Sequence, residues 1–293
     1  MLNLSQLLIS SEDEQKISEI FSDLKARHSH KKDPWGFNIE LCEEALRLFL
    51  PLYRQYFKVR VFGAENVSDK PYLVVSNHTG QVPIDAMLIT MAFLIDTHPP
   101  RILRAMVERF LAQLPFLGDL TAQTGSILGD RQNCQYLIDQ GESILVFPEG
   151  VRGISKSTPY FYKLKNFSDG FYRIALMKKT PILPVCVIGA EEMYPFVLHS
   201  RRLASLIGVP ALPITPHLVP LPSPIDIYIG KEISVELDHE ATDKEIREKI
   251  IEIETVIKKM ILTGLKNRRP FFNQLRKPLS KLFSLGIFSR LKR

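Results

Sequence analysis

Two polar segments, each placed directly after a short apolar run, carry the residues of this chain that could do chemistry. The first, residues 76–85 (SNHTGQVPID), follows the run Tyr72–Val75, and the second, residues 146–153 (VFPEGVRG), ends the run Ser143–Phe147. Short apolar runs that stop at polar loops are typical of buried strands. Ligands of open α/β sheets collect beyond the carboxyl ends of the strands, so we expect both loops to border one cleft.

His78 and Asp85 in the first segment predict a general base and the carboxylate that orients it. A neutral imidazole can take a proton from an attacking hydroxyl, and the carboxylate stabilises the charged ring that results. Seven residues along a continuous helix would separate the pair by about 10 Å, so the loop must curl for them to meet. The alternative is that His78 only satisfies backbone groups and Asp85 only caps a helix.

The second segment carries groups suited to a polar, anionic substrate. The Glu149 carboxylate can accept from a hydroxyl or an amide, and the Arg152 guanidinium can make bidentate contacts to a phosphate. Gly150 and Gly153 allow the backbone to approach a ligand closely. A tight turn with a surface ion pair is the alternative interpretation.

Four blocks in order along the chain resemble a known family, the glycerolipid acyltransferases that acylate lysophosphatidic acid and related acceptors. The blocks are the Asn77-His78 segment, Gly129–Asn133, Phe147–Gly150 and Pro181–Val185. The resemblance runs from about residue 33 to about residue 233. One departure is the six residues between the histidine and the acid, where the common family pattern has four.

The resemblance implies an O-acyltransferase of phospholipid synthesis that moves a fatty acyl group from acyl-CoA or acyl-carrier protein to a lysophospholipid hydroxyl. The first acceptor implied is 1-acylglycerol-3-phosphate, with Arg131 and Arg152 positioning its phosphate. No metal ion, organic cofactor or nucleic-acid partner is implied. The predicted site comprises catalytic His78 and Asp85 and substrate-binding Arg131, Glu149, Gly150, Arg152 and Gly153. Two alternatives stay open: another lipid acceptor, and a non-catalytic lipid-binding or membrane-remodelling protein on the same fold.

Composition narrows the class of protein. The chain has 293 residues, is 45% hydrophobic and carries a formal charge of +6, which suits an anionic partner. Phospholipid headgroups, CoA phosphates and nucleic acid all fit this charge, and composition does not choose among them. Its three cysteines lack metal-ligand spacing and are interpreted as free thiols in a reducing compartment. The longest uncharged apolar stretch, Ala86–Ile95, is about half of the roughly 20 residues needed to span a bilayer. No Walker loop, dinucleotide fingerprint or nucleophile elbow occurs in the sequence.

The apolar periodicity predicts an α/β fold: a mixed, largely parallel sheet flanked by helices, which the resemblance makes glycerol-phosphate acyltransferase-like. We expect an N-terminal helical segment over 1–57, an acyltransferase domain over 58–265 and a basic amphipathic tail over 266–293. Interleaved basic and apolar residues in that tail indicate a peripheral membrane protein on the cytoplasmic side, with a solvated tail as the alternative. Besides the strands before the two polar segments, the predicted elements are helices 11–25, 37–56, 83–94, 101–114, 133–140, 169–178 and one capped by Thr242, and strands 58–62, 182–188 and 226–229.

Overall fold

A seven-stranded mixed sheet forms the centre of the molecule. The computed structural model describes residues 9–28, 33–109, 117–199, 213–237 and 240–269. Residues 270–293 of the predicted tail over 266–293 lie outside these ranges. The strands of the sheet are β1 (Arg60–Phe62), β2 (Leu73–Ser76), β3 (Leu103–Val107), β4 (Ile127–Leu128), β5 (Ser143–Val146), β6 (Ile182–Ile188) and β9 (Asp226–Ile229). A separate two-stranded antiparallel pair consists of β7 (Leu198–His199) and β8 (Pro213–Ile214).

The strand order is β1-β9-β6-β2-β5-β3-β4. From β6 to β4 all neighbours are parallel. β9 is antiparallel to β6, and β1 is parallel to β9, so these two strands run opposite to the other five. The carboxyl ends of β6, β2, β5, β3 and β4 therefore meet at one edge of the sheet. The predicted mixed, largely parallel sheet is confirmed.

Helices cover both faces of the sheet because successive strand residues alternate between two cores. Val74 packs in the core beneath the first three helices, while Leu73 and Val75 pack in the core on the other face. The first core receives α1 (Ser11–His28), α2 (Ile39–Pro51) and α3 (Ile84–Ile95); the second receives α5 (Arg131–Asp139), α7 (Gly170–Lys178) and α8 (Asp243–Lys266). Two shorter α-helices of the described residues are α4 (Leu117–Gln123) and α6 (Val151–Ile154).

Local sequence signals explain several boundaries. Thr242 and Glu245 form the capping box that begins α8, so the predicted cap is confirmed. The Asn38 side chain caps α2, and beyond Pro51 the helix continues as one π-helical turn through Tyr56. The apolar stretch Ala86–Ile95 lies in the buried helix α3. Within the described residues, no helix has both the length and the apolar character to cross a bilayer.

The helix predicted over 101–114 is wrong at its start, where residues 103–107 form β3. Both faces of this strand are covered by the two cores, so its apolar residues are nearly continuous and give no alternating pattern. The apolar residues of this strand, taken together with those that follow it in the sequence, fit a helical spacing. The last five residues of the predicted helix, 110–114, lie outside the described residues.

Candidate active site

The ends of β2, β5 and β6 bring the two polar segments together at the carboxyl edge of the sheet. Asn77, the first residue after β2, extends the pairing with β6 through its side chain. Its amide Nδ2 donates to the Val187 carbonyl at 3.1 Å, and its Oδ1 accepts from the Val187 N–H at 2.9 Å. This buried exchange holds the loop that carries His78 against the neighbouring strand.

The loop curls so that His78 and Asp85 meet across their seven-residue spacing. His78 Nδ1 lies 2.8 Å from Asp85 Oδ2, which also accepts from the Thr79 N–H at 2.8 Å. Gly80 makes the turn with a φ of +90°, and a Cβ there would lie 3.0 Å from the Ala190 carbonyl oxygen. Asp85 is in the first turn of α3, where the helix dipole favours an acid.

The hydrogen-bond network assigns the His78 tautomer. The fully buried Asp85 carboxylate accepts from the Thr79 and Ala86 amides, so it also acts as the acceptor toward Nδ1. Nδ1 therefore carries the proton and Nε2 presents a lone pair. No described residue hydrogen-bonds to Nε2. A neutral imidazole in this state can accept a proton from a substrate hydroxyl.

Packing fixes the plane of the imidazole ring. Phe147 stacks on it with ring centroids 4.1 Å apart and an interplanar angle of 21°. On the backbone side, a Cβ at Gly153 would lie 2.6 Å from the His78 Cβ, so only glycine fits there. The His78 side chain keeps 12% of its surface exposed, enough for one edge of the ring to reach a ligand.

Glu149, predicted to grip a substrate, is buried and engaged by the protein itself. Its Oε1 accepts from the His78 N–H at 2.9 Å, and its Oε2 accepts from the Lys165 N–H at 2.7 Å. The carboxylate thus connects the loop after β2 to the segment after α6. Its observed contacts are those of a residue that positions His78, and its substrate-binding role stays a prediction.

Two buried charged residues next to the dyad were missed by sequence reasoning. Lys156 Nζ lies 3.2 Å from Glu149 Oε2 and 3.6 Å from Glu191 Oε1, and it donates to the His78 carbonyl at 3.2 Å. Burial raises the pKa of Glu191 to about 7, although the Lys156 charge opposes the shift. Glu191 follows β6 closely, so the rule that site residues follow strand ends could have found it; Lys156 gave no such signal.

The predicted anion-binding arginines lie at different distances from the dyad. Arg152 is exposed on α6 and donates through Nη2 to the Asn166 carbonyl at 3.1 Å. Gly150, just before α6, has a φ of +59°, and a Cβ there would lie 3.0 Å from Glu108 Oε1. Arg131 is exposed at the start of α5, beyond β4. Three strand spacings separate β4 from β2, a lateral distance of roughly 14 Å, so the structure does not bring Arg131 to His78.

The chain is a mixed α/β protein with a His-Asp dyad at the carboxyl edge of its sheet. Comparison with known proteins identifies its family. Residues 58–188 match the Acyltransferase family. An uncharacterised protein of Mycobacterium leprae is 34% identical over 249 residues, which cover 80% of this chain and 67% of that protein. A 1-acyl-sn-glycerol-3-phosphate acyltransferase of Saccharomyces cerevisiae is 30% identical over 146 residues, covering 46% of this chain and 44% of the yeast protein. The chain belongs to the Acyltransferase family.

Two further comparisons describe the extent of the likeness. Other mycobacterial relatives, 36% identical, are longer proteins, and the matched region covers 60% of their length. A crystal structure of the 1-acyl-sn-glycerophosphate acyltransferase PlsC of Thermotoga maritima matches with a TM-score of 0.49 at 16% identity, covering 86% of this chain and 96% of that one.

Proposed function

We propose that this protein is an O-acyltransferase that transfers a fatty acyl group from a thioester donor, acyl-CoA or acyl-carrier protein, to the hydroxyl of a lysophospholipid. The observation that carries the proposal is the 2.8 Å contact between His78 Nδ1 and a fully buried Asp85 carboxylate. That contact leaves Nε2 as a base at the edge of the sheet where ligands collect. Membership of the Acyltransferase family supports the same chemistry.

The reaction needs only one base. The acceptor hydroxyl gives its proton to His78 Nε2 while its oxygen attacks the thioester carbonyl carbon. The tetrahedral intermediate then collapses, the carbon–sulfur bond breaks, and the imidazolium returns the proton to the leaving thiolate. The products are an ester and a free thiol, and no acyl-enzyme forms. Asp85 stabilises the imidazolium, and base catalysis of this kind contributes about 10²–10⁴-fold in rate.

The acceptor we propose is 1-acylglycerol-3-phosphate, which places the protein in phospholipid synthesis. Support comes from the activity in the name of the yeast relative and from the exposed Arg152, which follows Glu149 closely and precedes Gly153, the residue packed against His78. A guanidinium is suited to bidentate contact with a phosphate. Arg131, farther along the same edge, is proposed to assist with the phosphate. We propose that the enzyme acts as a peripheral protein on the cytoplasmic side of a membrane, with no metal or organic cofactor.

Thiol release tests this proposal. Purified protein in lipid vesicles is given acyl-CoA or acyl-carrier protein donors with a panel of lysophospholipids, monoacylglycerol and amino-lipids. We expect release that depends on 1-acylglycerol-3-phosphate and falls about 10²–10⁴-fold in His78→Ala and in Asp85→Asn. In the second variant the new side-chain amide would donate to Nδ1 and force the proton onto Nε2. His98→Ala, an exposed histidine between α3 and β3 at the opposite edge, is the matched control.

Each other outcome has a definite meaning. Release with a different acceptor would retain the acyltransferase and replace its substrate. Absence of release with every donor and acceptor, while vesicle binding persists, would overturn the proposal in favour of a non-catalytic lipid-binding protein. Full activity of His78→Ala would refute the assigned base.

A further inference from the structure

A surface beside the candidate active site exposes large apolar side chains. We call it the apolar rim, and its members are Val82, Phe196, Leu198, Ile214, Leu218 and Val219. Their exposed fractions run from 42% at Val82 to 92% at Leu218. Clustered apolar side chains of this size are uncommon on monomeric soluble proteins and mark interaction surfaces.

Direct contacts join the segments that carry the apolar rim. Leu198 pairs with Ile214 across the β7–β8 ladder. The Tyr194 hydroxyl donates to the Leu218 carbonyl at 3.1 Å, and the Tyr194 ring stacks on His217 with centroids 5.4 Å apart. The exposed side chains therefore belong to one continuous surface.

The apolar rim is continuous with the catalytic loop. Val82 lies between His78 and Asp85 in the sequence, and the Oε1 atom of its neighbour Gln81 accepts a 2.9 Å hydrogen bond from His199 Nε2 on β7. The Gln81 amide also donates to the Lys156 carbonyl at 3.0 Å, close to the buried charges that hold His78. These contacts tie the rim to the loop that carries the dyad.

The charges around the rim suit an anionic surface. Four segments build it and its border, 79–84, 158–165, 194–199 and 213–221, and none of them contains Asp or Glu. Lys163 and Lys165 lie over the Tyr160 ring, with their Nζ atoms 5.2 Å and 5.3 Å from its centroid. Tyr160 is 51% exposed and is held to the rim because Thr158 bonds to Pro195 and Val197. Tyrosine and lysine beside apolar residues are typical of membrane interfaces.

We propose that the apolar rim docks the protein on an anionic phospholipid bilayer, with its apolar side chains inserted and Lys163 and Lys165 at the headgroups, so that the acceptor passes directly to His78. This docking proposal rests on the proposed function in one point only, the identity of the lipid acceptor that reaches His78. A lipid surface fits better than a second protein because the acid-free border matches the negative charge of the headgroups, and because lipid must reach the adjoining loop.

Vesicle cosedimentation tests the docking surface. The full chain and its variants Leu218→Asp and Phe196→Asp are titrated with vesicles of mixed phosphatidylcholine and phosphatidylglycerol. Loss of one inserted large side chain is expected to weaken binding about tenfold or more. Leu262→Asp, at a 61% exposed leucine on α8, is the matched control and should bind as the wild type does. Each variant is also assayed for thiol release with short-chain lysolipids below their micelle concentration, which should be unchanged.

The outcomes separate docking from catalysis. Rim variants that bind vesicles as tightly as the wild type, or a wild type that binds none, would overturn the inference. So would a dimer in solution that Leu218→Asp dissociates while vesicle binding is unaffected, because the rim would then join two copies. Vesicle binding that requires the rim, in a protein that never releases thiol, would uphold docking and refute the proposed function instead.

Discussion

At the residue scale, the stability of the candidate site depends on Lys156, whose ammonium lies between the buried carboxylates of Glu149 and Glu191. One positive charge faces two acids. The acid whose carboxylate accepts fewer hydrogen bonds is therefore the harder one to ionise. Glu149 accepts two backbone N–H groups, whereas Glu191 accepts one, from Tyr162 through Oε2, and its Oε1 has no hydrogen-bond partner among the described residues. This difference agrees with a pKa of Glu191 raised to about 7, chiefly by burial.

The raised pKa predicts that part of the free energy of unfolding depends on pH. Between about 4.5 and about 7 the folded Glu191 holds a proton that the unfolded chain releases. Stability from this group is therefore complete below pH 4.5 and is lost as pH rises through 7, by on the order of 3 kcal/mol. Glu191→Gln should remove that loss. Urea unfolding of wild type and variant at several pH values measures the difference, and parallel curves would contradict the assignment.

Sequence reasoning found three site residues that follow strands, but it missed Glu191, which also follows a strand, and Lys156, which does not. His78, Asp85 and Glu149 follow predicted strands, and the structure brings them to one edge. The inward turn of Glu149 could not be predicted, because its partners, the His78 and Lys165 amides, are set by tertiary packing. Lys156 looks like an ordinary loop lysine until the fold surrounds it with acids.

At the element scale, the short helix α6 controls how closely the second loop approaches the first. Gly153 lies on this helix, and a Cβ there would come within 2.6 Å of the His78 Cβ and 2.9 Å of the Glu149 Cβ. Neither atom can move without displacing a hydrogen-bonded backbone. The distance between the two loops is therefore fixed by the absence of a side chain.

Gly153→Ala should accordingly lower catalytic turnover about tenfold or more, since shifts near 1 Å at a catalytic group cost up to 10²-fold. The matched control is Gly170→Ala at the start of α7, where a Cβ meets nothing within 4 Å. That change should leave activity intact and raise stability by up to about 1 kcal/mol, because alanine restricts the unfolded chain. Thiol release and thermal unfolding of both variants provide the measurements; equal activities would show that α6 can move without consequence.

The elements themselves were largely predictable. The α8 cap and the strand over 182–188 have clear local signals, a capping box and an unbroken apolar run. The prediction was wrong for β3, because a strand covered on both faces lacks the alternation of apolar and polar residues that distinguishes a strand from a helix. β3 pairs with β5 on one side and with β4 on the other, and this pairing is set by the tertiary fold and not by the local sequence.

At the scale of the whole molecule, the buried carboxylate of Asp226 fastens the edge of the sheet to the end of the last described helix. It accepts from Arg60 Nε on β1 at 2.8 Å and from Arg269 Nη2, just beyond α8, at 2.8 Å. Asp226→Asn should destabilise the fold by about 2–3 kcal/mol, less than a fully buried pair because Arg60 can reach water. Asp139→Asn, which breaks an exposed pair with Lys178, should cost under about 1 kcal/mol. Chemical denaturation compares them, and equal losses would refute the clamp.

The position of β1 also has a consequence for how the protein is made. Among the strands that the structure describes, β1 pairs only with β9, and Arg60 and Asp226 are 166 residues apart in the chain. At a synthesis rate of about 5–20 residues per second, roughly 10–30 s pass between the synthesis of β1 and the synthesis of β9, its partner. The stretch 58–188 that matches the Acyltransferase family ends before that partner is made. A nascent chain stopped there holds the whole His-Asp dyad, yet its sheet has an unpaired first strand and an open edge on β6.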